Sequence, residues 1–381
     1  MKLVIHDLTK EEWDRQAHEY GECTAVSCSG AITPCVGCFG CWDRDPGRCV
    51  VKDGYGDMGY LIHHASEVVV ISRYTFGGFS GFVKNVFDRS LGYVLPQFEI
   101  VKGESHHKKR YDEDKPFTFI FYGSSLSQEE KDSAVRYVEA VCTNIRGYVR
   151  EVIFRDGGER PQPVLPKADS TPGPVLLLNG SMRSENGNSA ALAAQLAAAL
   201  KTENNTQALR SFLKDMSALI PAVESARVLV LCVPLYVDGL PAQVVRFMEM
   251  IQKSYRGAGK KIYVLANMGL YESGQLVNLF GQVRQWCEAL GFEYCGGVGV
   301  SAGELIGVMM KHVRFGSGVT RLAARGITSL AEAIDSGAKI EDIYAQPWMF
   351  PRSVYIAVAN TNWNRRAKNN GISPKELYRR L

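Results

Sequence analysis

Val175-Leu176-Leu177-Leu178-Asn179-Gly180-Ser181-Met182-Arg183-Ser184-Glu185-Asn186-Gly187-Asn188-Ser189 is the stretch that decides the fold. It begins with a continuous apolar run, as expected of a strand buried on both faces of a parallel sheet. Gly180 to Asn188 reads as a turn, and Ser189 to Leu200, rich in Ala and Leu, reads as a helix. A strand that passes through glycine and hydroxyl residues into a helix makes an anion site. Backbone N–H groups converge at the helix N-terminus, the helix dipole adds partial positive charge, and Ser181, Asn188 and Ser189 can donate further. Arg183 supplies a cation. There is no Gly-Lys-Ser/Thr ending and no G-x-G-x-x-G, so neither the NTPase loop nor the dinucleotide fingerprint fits. The plainer alternative is a polar loop in which Asn188 or Ser189 caps the helix.

The same rhythm continues outward. Residues 227–233 form a second apolar run, followed by a Pro-containing loop and a helix near 242–255. A third strand at 261–266, a helix around 275–289 and a strand at 292–300 complete a parallel sheet with helices on both faces. Two more loops leave the same edge: Pro234-Leu235-Tyr236-Val237-Asp238-Gly239 and Asn267-Met268-Gly269-Leu270-Tyr271. In an open α/β sheet ligands bind outside the carboxyl ends of the strands, so the three loops face one crevice. Phosphate ligands from one loop, with apolar, aromatic and backbone-amide surface from the others, suit a mononucleotide carrying a flat tricyclic ring. Backbone N–H groups near that ring would tune its electronics.

The first half repeats this order, with strands at 2–6, 68–72 and 117–122 and helices near 81–90 and 128–144. Val68–Ile71 superposes on Val228–Leu231, which sets Phe76 against Tyr236 and Phe82-Val83-Lys84 against Val244-Val245-Arg246; an internal duplication is the economical reading. Between the halves, residues 156–174 are rich in proline and glycine and read as a linker. The expected organisation is therefore a domain at 1–155, a linker at 156–173, a second domain at 174–304 and a C-terminal extension at 305–381. The extension carries helices at 319–334 and 374–381 and an aromatic stretch at 348–355.

Composition removes other classes. The 381 residues are 46% hydrophobic, 22% charged and 10% aromatic, which excludes a disordered chain. A net charge of +4, from 44 basic and 40 acidic residues, is too slight to argue for nucleic acid or an anionic membrane. No apolar run is long enough to span a bilayer, and Met1-Lys2-Leu3-Val4-Ile5-His6-Asp7 reads as a strand rather than a signal peptide, so the expected location is the cytoplasm.

Six of the ten cysteines fall within the first fifty residues. Cys35-x-x-Cys38-x-x-Cys41, with Cys49 after seven intervening residues, could hold a [4Fe–4S] cluster. A redox-active pair, thiols packed in the crevice, and a zinc site are the alternatives. His106 and His107 stand in the charged stretch Lys102 to Lys115 and read as part of a solvated loop rather than as ligands or proton donors. Trp42 could stack on a ring or cap a core edge, and Asp88-Arg89 reads as an internal ion pair.

Gly180-Ser181-x-Arg183…Asn188-Ser189, Pro234-Leu235-Tyr236 and the glycine-containing third loop resemble the NADPH-dependent FMN reductase group of the flavodoxin-like superfamily, over about residues 174–300. The first half is similar to iron–sulfur flavoproteins and their cluster-free relatives. That likeness runs through Pro34-Cys35-Val36-Gly37-Cys38-Phe39-Gly40-Cys41-Trp42, Pro46-Gly47-Arg48-Cys49, Lys52-Asp53, Thr75–Ser80, Val83-Lys84-Asn85, Asp88-Arg89 and His106–Tyr111. The resemblance implies two tandem flavodoxin-like, doubly wound parallel-sheet domains, followed by a helical extension. It implies bound FMN and NAD(P)H as co-substrate, with Ser181, Arg183, Asn188 and Ser189 on the phosphate. Pro234, Leu235, Tyr236, Val237, Asn267, Met268 and Gly269 would line the ribityl chain and ring. The expected reaction is hydride transfer from NAD(P)H through FMN to a small-molecule acceptor such as a quinone or nitro compound. An iron–sulfur flavoprotein electron carrier, with Cys35, Cys38, Cys41 and Cys49 as metal ligands, is the alternative. No residue is singled out as catalytic, since the flavin itself accepts the hydride. Relatives build the flavin site at a dimer interface, which here implies a homodimer or a tandem pseudo-dimer. The first loop, His6-Asp7-Leu8-Thr9-Lys10-Glu11-Glu12, departs from the pattern: it lacks glycine, Ser-x-Arg and Asn-Ser.

Overall fold

A computed structural model describes residues 1–28, 32–157, 173–183 and 187–381. Most of the expected linker, 158–172, and Ser184, Glu185 and Asn186 of the phosphate loop lie outside the described residues. Two units divide the chain: Met1–Arg160 with Ser353–Leu381, and Pro161–Arg352. None of the described helices is long and apolar enough to cross a membrane.

In the first unit the strands are β1 (Lys2–His6), β2 (Cys23–Ser27), β3 (Val68–Arg73), β4 (Val94–Val101), β5 (Glu104–Lys109), β6 (Lys115–Gly123) and β7 (Gly147–Asp156). The helices among them are α1 (Lys10–Gln16), α2 (Gly40–Asp43), α3 (Met58–His64), α4 (Gly81–Asp88) and α5 (Gln128–Asn144). The sheet runs β2-β1-β3-β6-β7, with every pair parallel. In the order of the sheet's own strands this is 2-1-3-4-5, the flavodoxin-like arrangement. β4 and β5 form a separate antiparallel hairpin between the third and fourth sheet strands.

The second unit has β8 (Val175–Asn179), α6 (Asn188–Ala199), β9 (Asn204–Ala208), α7 (Ile220–Ser225), β10 (Val228–Pro234), α8 (Ala242–Ser254), β11 (Lys261–Asn267), α9 (Val277–Leu290), β12 (Glu293–Val300), α10 (Gly303–Met309), α11 (Arg321–Ser336) and β13 (Ile343–Ala345). Its sheet runs β9-β8-β10-β11-β12-β13, again parallel throughout, so it is the 2-1-3-4-5 order with a sixth strand added. All residues of β8 and β10 are buried, which is why an unbroken apolar run marks them. Each Leu or Val buried there contributes about 1.5–3 kcal/mol. Gly296, at φ +96° beside a shift of register in β12, lets the chain leading to β13 come close: a β-carbon there would overlap the Ile340 carbonyl.

The likeness of the two sheets extends to buried lysines. Lys115 Nζ donates to the carbonyls of His63 (2.9 Å) and Ala65 (2.5 Å) at the end of α3. Lys260 Nζ donates to Glu224 (3.3 Å) and Ala226 at the end of α7. In both halves a cation entering the fourth strand closes the C-terminus of the preceding helix, where the dipole favours positive charge. Burial lowers both lysines, Lys260 to about 8.

Three expectations change. The tail helix is α12 (Arg352–Asn369), not 374–381, where only a short turn at Glu376–Tyr378 forms. The Asn-rich α12 has weak intrinsic propensity, and Tyr355, Trp363 and Ala367 buried on one face hold it. Asn360 also bonds both the N–H (2.7 Å) and the carbonyl (3.2 Å) of Phe98 on β4. His106 and His107 are not on a solvated loop: they lie on β5, and His106 is 3% exposed. Burial pulls His107 down to about 4, so the ring is neutral, packed between Trp42 and Phe98. Finally, Phe76 does not match Tyr236. The turns Thr75–Gly78 and Tyr236–Gly239 are equivalent, each closed by a reciprocal pair of N–H···O bonds; β10 is one residue longer than β3, so Phe76 stands where Val237 does.

Candidate functional site

At the carboxyl edge of the second sheet, Gly180 N–H bonds the Cys232 carbonyl (2.9 Å) as the chain leaves β8. A β-carbon at Gly180 would stand 2.5 Å from Val244 Cγ2 and 2.9 Å from Val233 Cγ1, so glycine lets the loop sit against α8. Asn179 Oδ1 accepts from Ser181 N–H (3.0 Å), and Ser181 Oγ accepts from Arg183 N–H (3.3 Å). These two local bonds shape the chain as it leaves β8. The residue preceding α6 is Gly187, which has no side chain to cap it, and Asn188 is the first helical residue rather than the cap. The first-turn N–H groups of a helix with no side-chain cap are the donors an anion uses.

The three crevice loops are bonded to one another. Ser189 Oγ donates to Asn267 Oδ1 (2.6 Å), and Leu235 N–H donates to the Asn267 carbonyl (2.8 Å). The turn after β10 places Val237 (φ 39°) and Asp238 (φ 58°) in the left-handed region. Met268 N–H bonds the Val300 carbonyl, while Gly269 is exposed and has open space where a side chain would be. Thus Ser181, Arg183, Asn188 and Ser189 follow β8, Pro234 to Val237 follow or end β10, and Asn267 to Gly269 follow or end β11, all on one edge. Sequence reading did not include α10: Gly303 N–H bonds the Met268 carbonyl (2.7 Å), and Gly307 packs against Asn188 so closely that a β-carbon would overlap its Oδ1. No local motif announces it, since it arrives from beyond the last crevice strand.

The corresponding edge of the first unit is closed. Thr9 Oγ1 accepts from Glu12 N–H (3.2 Å) and Glu12 Oε2 accepts from Thr9 N–H (2.8 Å), a reciprocal cap over the α1 N-terminus. Leu8 is buried, and Trp13 stacks on His6 at 4.3 Å. The chain supplies its own anion there. Asp7 accepts from Arg73 N–H (3.1 Å) and from the Tyr122 hydroxyl (3.0 Å), between the ends of β1, β3 and β6. Burial raises the Asp7 carboxyl above its ordinary value, against hydrogen bonds from Ser80, Arg73 and Tyr122 that lower it. A folded-state value above the unfolded one stabilises at low pH and is lost as pH rises through it. Asp7→Asn, which keeps one oxygen for the N–H and the hydroxyl, is therefore expected to raise the melting temperature at pH 7.5, and the gain should vanish near pH 4. Melting curves across that range check the sign.

The cysteine segment is clamped on α4. Cys35 N–H bonds Asn85 Oδ1 (3.2 Å), and Asn85 Nδ2 donates to the Thr33 carbonyl (3.2 Å). Arg89 pairs with Asp53 and donates to the Val51 carbonyl (3.2 Å), so the ion pairs here are Arg89–Asp53 and Lys84–Asp88 rather than Asp88 with Arg89. Burial would raise the Asp53 carboxyl, but the Arg89 guanidinium and the N–H groups of Thr33 and Tyr55 outweigh it and hold it at about 2. Burial pushes the Cys35 thiol up to about 12 and Cys41 well above its usual value, with the neighbouring thiols adding to both. Gly40 N–H bonds Cys38 Sγ (3.4 Å). Among the described residues no group of three His, Cys, Asp or Glu side chains is placed to hold a metal ion, while Cys35 and Cys41 each lie within electrostatic reach of Cys38 and Cys49. Trp42 is 1% exposed, donates to the Leu91 and Val94 carbonyls (both 2.9 Å) and packs on Phe39 and Trp363, so its faces are spent in the core.

No family model and no curated protein matches the chain in sequence. Several solved structures are similar over part of it. An FMN-dependent NADH-azoreductase from Bacillus anthracis in complex with FMN is 11% identical, over 42% of this chain and 99% of its own, at a TM-score of 0.34. General stress protein 14 from Treponema denticola, in complex with FMN, is 14% identical over 43% and 99%, at 0.31. An NAD(P)H:quinone oxidoreductase from Methanothermobacter marburgensis is 13% identical over 43% and 96%, at 0.30. The fold of this chain rests on its strand order rather than on these likenesses.

Proposed function

We propose that the chain is an FMN-dependent NAD(P)H oxidoreductase that holds one FMN in its second unit and passes reducing equivalents to a small acceptor such as a quinone or nitro compound. The observation that carries this reading is the contrast between the two halves. Among the described residues no side chain caps α6, which follows the loop that carries Arg183; its counterpart α1 is capped by Thr9 and Glu12, and Asp7 before it is bonded to Arg73 and Tyr122. The solved structures named above include FMN complexes and NAD(P)H-dependent reductases, which agrees with it.

The β8–α6 loop would bind the phosphate through Arg183, the Ser181 hydroxyl and the first-turn N–H groups of α6. Pro234 to Val237 and Asn267 to Gly269 would flank the ring, and the bonds of Asn267 to Ser189 and Leu235 fix the two loops at one separation. When bound, FMN supplies the hydride-accepting ring, so the chain needs no acid–base residue of its own for that step. The protein's part is to hold ring and phosphate and to leave the ring reachable, for which the bare, exposed Gly269 gives room. Purified protein saturated with FMN should consume NADH or NADPH when a quinone is added, at a rate well above that of free FMN. No oxidation above the free-flavin rate with either nucleotide would refute the reading.

A further inference from the structure

We propose that Glu304 is a built-in competitor for the phosphate cradle: in the flavin-free chain its carboxylate holds the Arg183 guanidinium, and its displacement sets how tightly FMN is kept. The proposal rests on the FMN reading of the β8–α6 loop. α10 is fixed to the crevice at both sides. Its leading residues are tied to the third loop, through Ala302 N–H to the Leu270 carbonyl and Gly303 N–H to the Met268 carbonyl, both 2.7 Å. Its Gly307 lies against Asn188, the first residue of α6. Glu304 stands in the first turn between these anchors, and its Oε1 is 4.0 Å from Arg183 Nη1.

Burial decides what this pair can do. The Arg183 and Glu304 side chains are 36% and 40% exposed, so the pair is solvated and weak. A phosphate dianion that also meets the α6 N–H groups and Ser181 outbids it. The first half carries a fixed internal acid at its own carboxyl edge: Asp7, half-buried, is held by Arg73 N–H and the Tyr122 hydroxyl. One internal anion cannot leave; the other can. After exchange Glu304 remains beside the phosphate and repels it, which shortens the residence of FMN.

Glu304→Gln keeps the side chain's length and removes its charge. In fluorescence titrations of the full-length protein, the variant is expected to bind FMN roughly 3- to 10-fold more tightly than the parent, with FMN dissociation slowed to match. Riboflavin, which has no phosphate, should change less than about twofold, and the FMN gain should shrink in about 1 M salt, where the screening length is ~3 Å. Unchanged or weaker FMN binding by the variant, or an equal gain for riboflavin, overturns the role of Glu304 and leaves the FMN reading standing. A parent protein that binds no FMN overturns both.

Discussion

Replacing Arg183 with alanine is expected to weaken FMN binding by about 10- to 100-fold while changing riboflavin affinity less than about threefold. The asymmetry follows from where the residue sits. Arg183 is on the loop between β8 and α6, its N–H is fixed by Ser181 Oγ, and its guanidinium lies 4.0 Å from Glu304 of α10, whose Gly307 packs on Asn188 at the start of α6. It is remote in the chain from Pro234–Val237 and Asn267–Gly269, the loops assigned to the ring. Losing one charge-assisted contact removes affinity only for a ligand that carries the charge. Titration of parent and variant with the two flavins checks this; a loss of similar size for both would move the phosphate elsewhere. The helix N–H groups remain in the variant, so binding is weakened and not abolished.

The second large effect concerns stability. Arg110→Met is expected to cost the first unit about 3–5 kcal/mol and to free the end of the chain. Arg110 is 2% exposed, and its guanidinium donates to four carbonyls: Gly92 (2.7 Å), Leu377 (2.7 Å), Arg379 (2.7 Å) and Val94 (3.3 Å). Burial lowers its pKa to about 10, which still leaves it a cation at neutral pH. Methionine fills much of the volume and makes none of these bonds, so the Gly92, Leu377 and Arg379 carbonyls lose this donor at once, while Val94 keeps Trp42 Nε1. The tail is also held by the buried Leu377 and by more exposed contacts: Arg379 with Asp45 and the Pro46 carbonyl, Arg380 with Asp112, and Leu381 against Gly47. Limited trypsin digestion followed by mass measurement should then show early cleavage at Lys375 and Arg379. A variant whose melting and digestion match the parent would show that the tail is held by other means.

Residues buried on both faces were the most legible in the sequence. β8, β10 and β11 stand out because their central residues are buried on both faces and apolar, and their order set the parallel sheet and the edge on which the three loops meet. Edge elements were not legible. β9 is Asn-Asn-Thr-Gln-Ala and carries no apolar pattern, because an edge strand needs none. The β4–β5 hairpin reads as charged even though Ser105 and His106 are buried, since burial there is set by distant parts of the chain such as Tyr355 packing on Phe98. α12 was hidden by its asparagines. For the candidate site, the absent glycine and Ser-x-Arg already marked the first loop as unfit for phosphate. The bonds of Asp7 to Arg73 and Tyr122 needed the fold, because both are far from it in sequence. Glu304 and Gly307 were invisible for the same reason. The cysteine spacing left cluster, zinc and free thiols open, and the fold adds that the segment is clamped on α4 by Asn85 and Arg89, with Cys35 and Cys41 near Cys38 and Cys49.

The most direct test of the division of labour between the two halves is the flavin stoichiometry of the full chain. Equilibrium dialysis against FMN, with bound flavin counted by its visible absorbance, should give one FMN per chain for the parent and for Asp7→Asn, and a weakened single site for Arg183→Ala. Two flavins per chain, none, or one whose affinity is untouched by Arg183→Ala would contradict the account.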